Sequence, residues 1–169
     1  MANLSVGLYT LPDLAGLQAY DPAGRSITPV IARVRVRLPA APVPPRPPLY
    51  TLGAGIVMES VQTPGQVRAG GPFTVTLVWR SVTTVDRDYT VFVHVVSPTG
   101  ITVAQADGEP QQGALPTSFW ERGELVPDMA VVNVPAGLPA GEYRLILGMY
   151  EVATGQRLPV EDASGQPSG

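Results

Sequence analysis

The chain has one histidine, His94, in the run Tyr89-Thr-Val-Phe-Val-His-Val-Val96, and no cysteine. His94 is therefore the only side chain whose ordinary titration range lets it gain or lose a proton near neutral pH. Without cysteine there is no thiol nucleophile and no disulfide, and one imidazole cannot build a multi-histidine metal centre. A serine triad would have to run through His94, which lies mid-strand among valines with no nucleophile-elbow motif nearby. The sequence favours a hydrogen-bonded strand histidine over a catalytic base.

The acidic residues offer three further arrangements. Asp86-Arg-Asp88 is an acid-x-acid pattern of the kind that can hold a metal–sugar-nucleotide complex, but it falls in a hairpin loop without an α/β scaffold around it. A solvated turn, helped by the Asp side chains, is the simpler reading. Asp107 with Glu109, and Glu161 with Asp162, present carboxylate oxygens of the type calcium takes. Neither pair has the spacing of a calcium loop. No catalytic, cofactor-binding or metal-ligating residue is expected.

Binding chemistry is better represented. Phe119 and Trp120 lie in a long connection, with Tyr89 and Tyr150 as companions. Flat rings exposed on a β-sandwich can stack on sugars, which makes Trp120, Phe119 and Tyr89 the candidate ligand-binding residues. The competing reading is that these rings fold back as a lid over the core, where burial rewards large aromatics most.

The elements that must position these residues read as strands. Gly (18) and Pro (19) together exceed a fifth of the 169 residues, while charged residues are only 15%. That mixture suits short strands joined by many turns and disfavours helices. A 44% apolar content suffices for a packed core, and a net charge of −3 leaves no electrostatic footprint for nucleic acid or anionic lipid. No apolar run is long enough to span a bilayer as a helix.

In chain order, Leu4 to Tyr9 predicts a short strand and Asp21-Pro-Ala-Gly24 a tight turn. Val30 to Leu38 alternates cleanly, with Val30, Ala32, Val34, Val36 and Leu38 on one side and Arg33, Arg35 and Arg37 on the other. The arginine row reads as a solvent face that also discourages edge pairing, rather than as a polyanion site. Residues 39–50 form a proline-rich linker, able to span some 35 Å at about 3.1 Å per residue. Residues 51–169 then predict one all-β unit. Its strands cover Gly55–Val61, Phe73–Arg80 with Phe73, Val75, Leu77 and Trp79 inward, Tyr89–Val96, Ile101–Ala106, Met129–Val134 and Leu145–Tyr150. The span from Asp107 to Asp128 reads as irregular. Short strands at this spacing predict an immunoglobulin- or fibronectin type III-like β-sandwich. Tyr143, just after Leu138-Pro-Ala-Gly141, stands where a tyrosine corner would bond back to the preceding connection.

Four segments carry a family resemblance: Tyr89–Val96, Ala104-Gln-Ala-Asp-Gly-Glu-Pro110, Pro116-Thr-Ser-Phe-Trp-Glu-Arg-Gly-Glu-Leu-Val-Pro-Asp128 and Gly141-Glu-Tyr-Arg-Leu-Ile-Leu-Gly-Met-Tyr150. Together they resemble a β-sandwich module that accompanies bacterial membrane glycosyltransferase-like proteins of the protein mannosyltransferase type. The resemblance covers roughly residues 51–160 and implies a non-catalytic module on the cell exterior, serving as a spacer or docking partner for neighbouring domains. It carries over no catalytic residue. Carbohydrate binding through the loop aromatics is the alternative.

The N-terminus echoes the C-terminus. A shift of 141 positions (145 − 4) lays Leu4 on Leu145, Gly7 on Gly148, Tyr9 on Tyr150, Leu17 on Leu158, Asp21 on Asp162 and Gly24 on Gly165. Residues 1–38 thus read as the tail of a preceding repeat, and the second copy reaches Gly169 before any counterpart of Val30–Leu38. A sandwich lacking its last strand has an open edge. The front segment is expected to complete it, in cis or as a strand-swapped dimer. Removing residues 1–38 should therefore lower the melting temperature markedly or cause aggregation, and an unchanged thermal melt would contradict this expectation.

Overall fold

A computed structural model describes residues 2–5, 19–27, 30–34 and 47–168. The chain divides into two compact units, Met1–Val43 and Pro44–Gly169. In the first, β1 (Ala2–Ser5) pairs antiparallel with β4 (Val30–Val34), with Leu4 opposite Ala32 and Asn3 opposite Arg33. A small hairpin joins β2 (Ala19–Tyr20) to β3 (Ser26–Ile27). The remainder of the expected strands, residues 6–9 and 35–38, and most of the proline-rich linker lie outside the described residues.

The second unit is all-β, with eight strands in two antiparallel sheets. They are β5 (Tyr50–Leu52), β6 (Ile56–Gln62), β7 (Pro72–Ser81), β8 (Thr90–Val96), β9 (Thr102–Gly108), β10 (Leu125–Asn133), β11 (Arg144–Tyr150) and β12 (Val160–Asp162). One sheet runs β10-β7-β6-β5-β12 and the other β11-β8-β9. Sequence alternation explains which faces meet. Val75, Leu77 and Trp79 on β7 are buried, as are Val91, Val93 and Val95 on β8, with Met149 on β11. These residues form one core with Ile56, Met58, Val126, Val132 and Trp120. β8 is the middle strand of its sheet, as its sequence predicts.

Three differences from the sequence reading have local causes. Leu49 and Tyr50 belong to the sandwich rather than to the linker, since Leu49 N–H donates to the Met58 carbonyl (2.8 Å) and β5 begins at Tyr50. β10 starts at Leu125, well before the expected Met129, and carries Pro127 opposite Val78. A proline is tolerated there because β10 is an edge strand. β9 begins and ends later than Ile101–Ala106, at Thr102 and Gly108.

The turn residues also do what their types dictate. Tyr143 Oη donates to the Pro139 carbonyl at 2.9 Å, the bond expected of a tyrosine after this corner. The hairpins at Asp21 and Asp162 share the bonds that their main chains make. Asp21 Oδ1 accepts from Ala23 N (2.9 Å) and Arg25 N (3.0 Å), and Asp162 Oδ1 accepts from Ser164 N (2.8 Å) and Gln166 N (3.0 Å). In both, the main chain of the Asp donates to the residue four on and accepts from the glycine three on, at 2.9 Å each. Gly24 and Gly165 share the left-handed conformation (φ 76° and 78°) that closes such a turn. Tyr20 pairs with Ser26 as Glu161 pairs with Pro167. Both carboxyl groups are held below the usual aspartate range, Asp21 by bonds from Arg25 and Asp162 chiefly by the Ser164 hydroxyl.

Gly148 is required by close approach. A Cβ there would lie 2.9 Å from Phe92 Cε1 and Cζ on the adjacent strand. Gly148→Ala should lower the unfolding free energy by about 1–3 kcal/mol through overpacking, measured by urea denaturation. A variant as stable as the wild type would show that the Phe92 ring shifts without cost.

Candidate functional site

The sequence candidates are drawn into the core by the connection between β9 and β10. Trp120 is 3% exposed, and its indole N–H donates to the Leu115 carbonyl at 3.1 Å. Tyr89 is 8% exposed within the same core, and Phe119 packs against it, half-buried. The hydroxyl of Thr117, itself fully buried, donates to the Arg87 carbonyl (2.6 Å) and accepts from Tyr89 N–H (2.9 Å). Asp88 accepts from Ser118 N–H at 3.1 Å, so one acid of the Asp86-Arg-Asp88 pattern serves to anchor this connection. Trp120 and Tyr89 are thus part of the core, and Phe119 packs against it.

The structure gathers a different set of side chains on the outer face of the β11-β8-β9 sheet. Residues two apart on β8 share a face, which places Phe92 and His94 together. Their rings stand 5.0 Å apart. The β8–β9 register sets Asp107 opposite Phe92, and the β8–β11 register sets Gly148 opposite Phe92 from the other side. Because Gly148 has no side chain, Phe92 lies low against the sheet and is only 4% exposed. The Arg157 guanidinium covers its ring at 4.3 Å, and Tyr150 flanks it with a centroid distance of 6.2 Å.

Polar groups rim this aromatic patch. His94 Nε2 lies 3.1 Å from Asp107 Oδ1, and Tyr150 Oη donates to Asp107 Oδ2 at 3.3 Å. The second imidazole nitrogen, Nδ1, lies 3.5 Å from Arg157 Nη2. A tautomer with the proton on Nε2 satisfies both imidazole contacts, donating to the carboxylate and accepting from the guanidinium. Burial first, and then the Asp107 charge beside it, push the Tyr150 hydroxyl above its usual range. It stays protonated at neutral pH and acts as a donor.

This cluster has the parts of a proton-handling site, yet each part is committed to a neighbour. His94 has the acid that orients an imidazole in a triad. Its other nitrogen faces a guanidinium rather than a hydroxyl nucleophile. No group of three or more His, Asp and Glu side chains converges to hold a metal among the described residues. Asp162 is engaged in its own turn. The sequence reading identified His94 as a hydrogen-bonded strand histidine but did not foresee its partners. The alternation of β8 across the Ser97–Gly100 turn was the one signal able to bring Asp107 near it.

Asp107→Asn should lower the Tyr150 pKa part of the way toward the ordinary tyrosine value of about 10, because burial persists when the charge is removed. Ultraviolet titration, with Tyr150→Phe as the reference that isolates this phenol among six tyrosines, reads the shift. An unchanged titration would remove Asp107 as a cause.

Comparison with models of known protein families, with curated proteins and with solved structures found no match to this chain.

Proposed function

We propose that residues 51–169 are a non-catalytic accessory module of the immunoglobulin/fibronectin type III kind, acting at the cell exterior beside a membrane-bound glycosyltransferase-like protein. The observation that carries this reading is the direction of the β9–β10 connection. It is the longest connection of the sandwich and the natural place for a ligand loop, yet Trp120, Leu115 and Thr117 within it are buried. Loops that bind or catalyse leave their reactive groups exposed on a rigid scaffold. A loop that buries its aromatics contributes stability instead, and its module spaces or orients its neighbours.

The immunoglobulin-like assignment draws support from the Tyr143–Pro139 hydrogen bond and from Trp79 at the centre of the core. The matched hairpins at Asp21 and Asp162 support reading residues 1–38 as the end of a like repeat. An array of such repeats would act as a stalk between a membrane-embedded part and its surroundings. Sugar binding through Trp120, Phe119 and Tyr89 would require these rings to leave the core. Truncating a buried Trp costs about 3–5 kcal/mol, and ligand binding would have to exceed a comparable penalty.

Titrating the full chain with a panel of mono- and oligosaccharides, followed by tryptophan fluorescence, should give no saturable change. A saturable response that disappears in Trp120→Phe would replace the structural reading by the carbohydrate-binding one. For location, an epitope inserted in the exposed turn at residues 152–155 should stain on intact, unpermeabilised cells. Staining only after permeabilisation would overturn the exterior assignment.

A further inference from the structure

β11 has one partnered side and one open side. β8 pairs along its full length. On the other side only its C-terminal end is engaged, where Leu158 N–H donates to the Met149 carbonyl (2.8 Å) and Glu151 N–H to the Gln156 carbonyl (3.0 Å). From Arg144 to Leu147 no second strand pairs with β11 among the described residues. Burial reports the same gap. On the core-facing side of β11, Met149 is fully buried while Leu145 and Leu147 are only half-buried. A groove of about 700 Å³ opens beside this end, lined by Phe73, Val95, Val134, Leu138, Tyr143 and Leu145 among others. An apolar groove flanked by unpaired backbone donors and acceptors suits an added β-strand.

The N-terminal unit shows which strand such an edge takes. β1 is the counterpart of the start of β11 at the 141-residue shift, and the hairpins that follow the two strands share their hydrogen bonds. β1 is paired, antiparallel, with β4. Carrying that register across sets Ala32 opposite Leu145, Val34 opposite Tyr143 and Arg33 opposite Arg144. In that register Ala32 and Val34 stand at the positions of the groove-lining Leu145 and Tyr143, while Val30, past the bulge, stands opposite Ile146. A two-stranded ribbon alone is marginal in water, whereas the same strand added to a sheet gains a packed core face.

We propose that the open edge of β11, residues 144–147, is a strand-acceptor site filled by Val30–Val34 of a second copy of this chain. Exchange of the same segment in both directions gives a closed two-fold dimer, in which each copy completes the other's three-stranded sheet. The one unfavourable contact is Arg33 opposite Arg144, since like charges facing across strands repel. That contact identifies the register.

Sedimentation velocity on the full chain, from low micromolar to submillimolar concentration, tests the proposal. The wild type should form a concentration-dependent dimer. Ala32→Pro, which removes a ladder donor from the donating strand, should sediment as a monomer with unchanged far-UV circular dichroism. A fluorescein-labelled peptide of residues 30–38 should then bind saturably to Ala32→Pro, and adding Arg144→Glu should tighten it about two- to fivefold at low salt. A wild type that remains monomeric over this range overturns the proposal, as does a dimer that persists unchanged in Ala32→Pro. Peptide binding indifferent to Arg144→Glu overturns the register.

Discussion

The Thr117 hydroxyl makes two bonds at once, one to each side of a residue-long gap in the chain before β8, and the long connection cannot close without them. A buried main-chain N–H and C=O with no partner cost about 1–3 kcal/mol each. The polypeptide approaching β8 has no strand neighbour at Arg87 and Tyr89, so the N–H of the buried Tyr89 would be left without a partner. One side chain with a donor and an acceptor on the same atom resolves this, and Thr117 supplies it from thirty residues away. Ser118 and Asp88 reinforce the same closure. Once this joint is set, Trp120 has only the core to enter, and the β9–β10 connection becomes part of the sandwich wall.

A second packing region lies on the opposite side of the three-stranded sheet. Phe92 is as buried as the residues of the main core, although it points away from it. Its cover is made of Arg157, Tyr150 and His94 rather than of another sheet. Long polar side chains can shield an aromatic ring with their stems and planes while their charged ends stay in water. The absence of a side chain at Gly148 makes room for the ring. Packing outside and packing inside thus meet at one strand, β11.

Much of this architecture was legible in the residues. Phe73 to Trp79 alternates because one face of β7 is in the core, and Tyr89 to Val96 does not alternate because Phe92 is buried on the outer face of β8 as well. The tyrosine after the Pro139 corner and the Asp-x-x-Gly turns carry local signals that survive without tertiary knowledge. The three-residue strands β5 and β12 left no such trace, since three residues cannot show a period. Leu125–Asp128 was obscured by Pro127, whose meaning depends on whether its strand is central or at an edge. The grouping of Phe92, His94, Asp107, Tyr150 and Arg157 was invisible for a different reason: these residues come from three strands and a turn, and only the registers bring them together. The burial of Trp120 was equally hidden, since its indole donates to the Leu115 carbonyl within an irregular connection that no spacing rule describes.

Pro127 has a consequence for how such modules behave when crowded. Its carbonyl accepts from Gln111 Nε2 at 2.9 Å, so this residue directs its polar atoms away from β7. Proline has no donor to offer on that side, and the acceptor is already occupied. Gln111 N–H is in turn tied to Asp128 Oδ1 at 2.8 Å. The outer margin of β10 is therefore chemically silent toward other polypeptides at this point. A neighbouring polypeptide would not extend the sheet through that margin at this point.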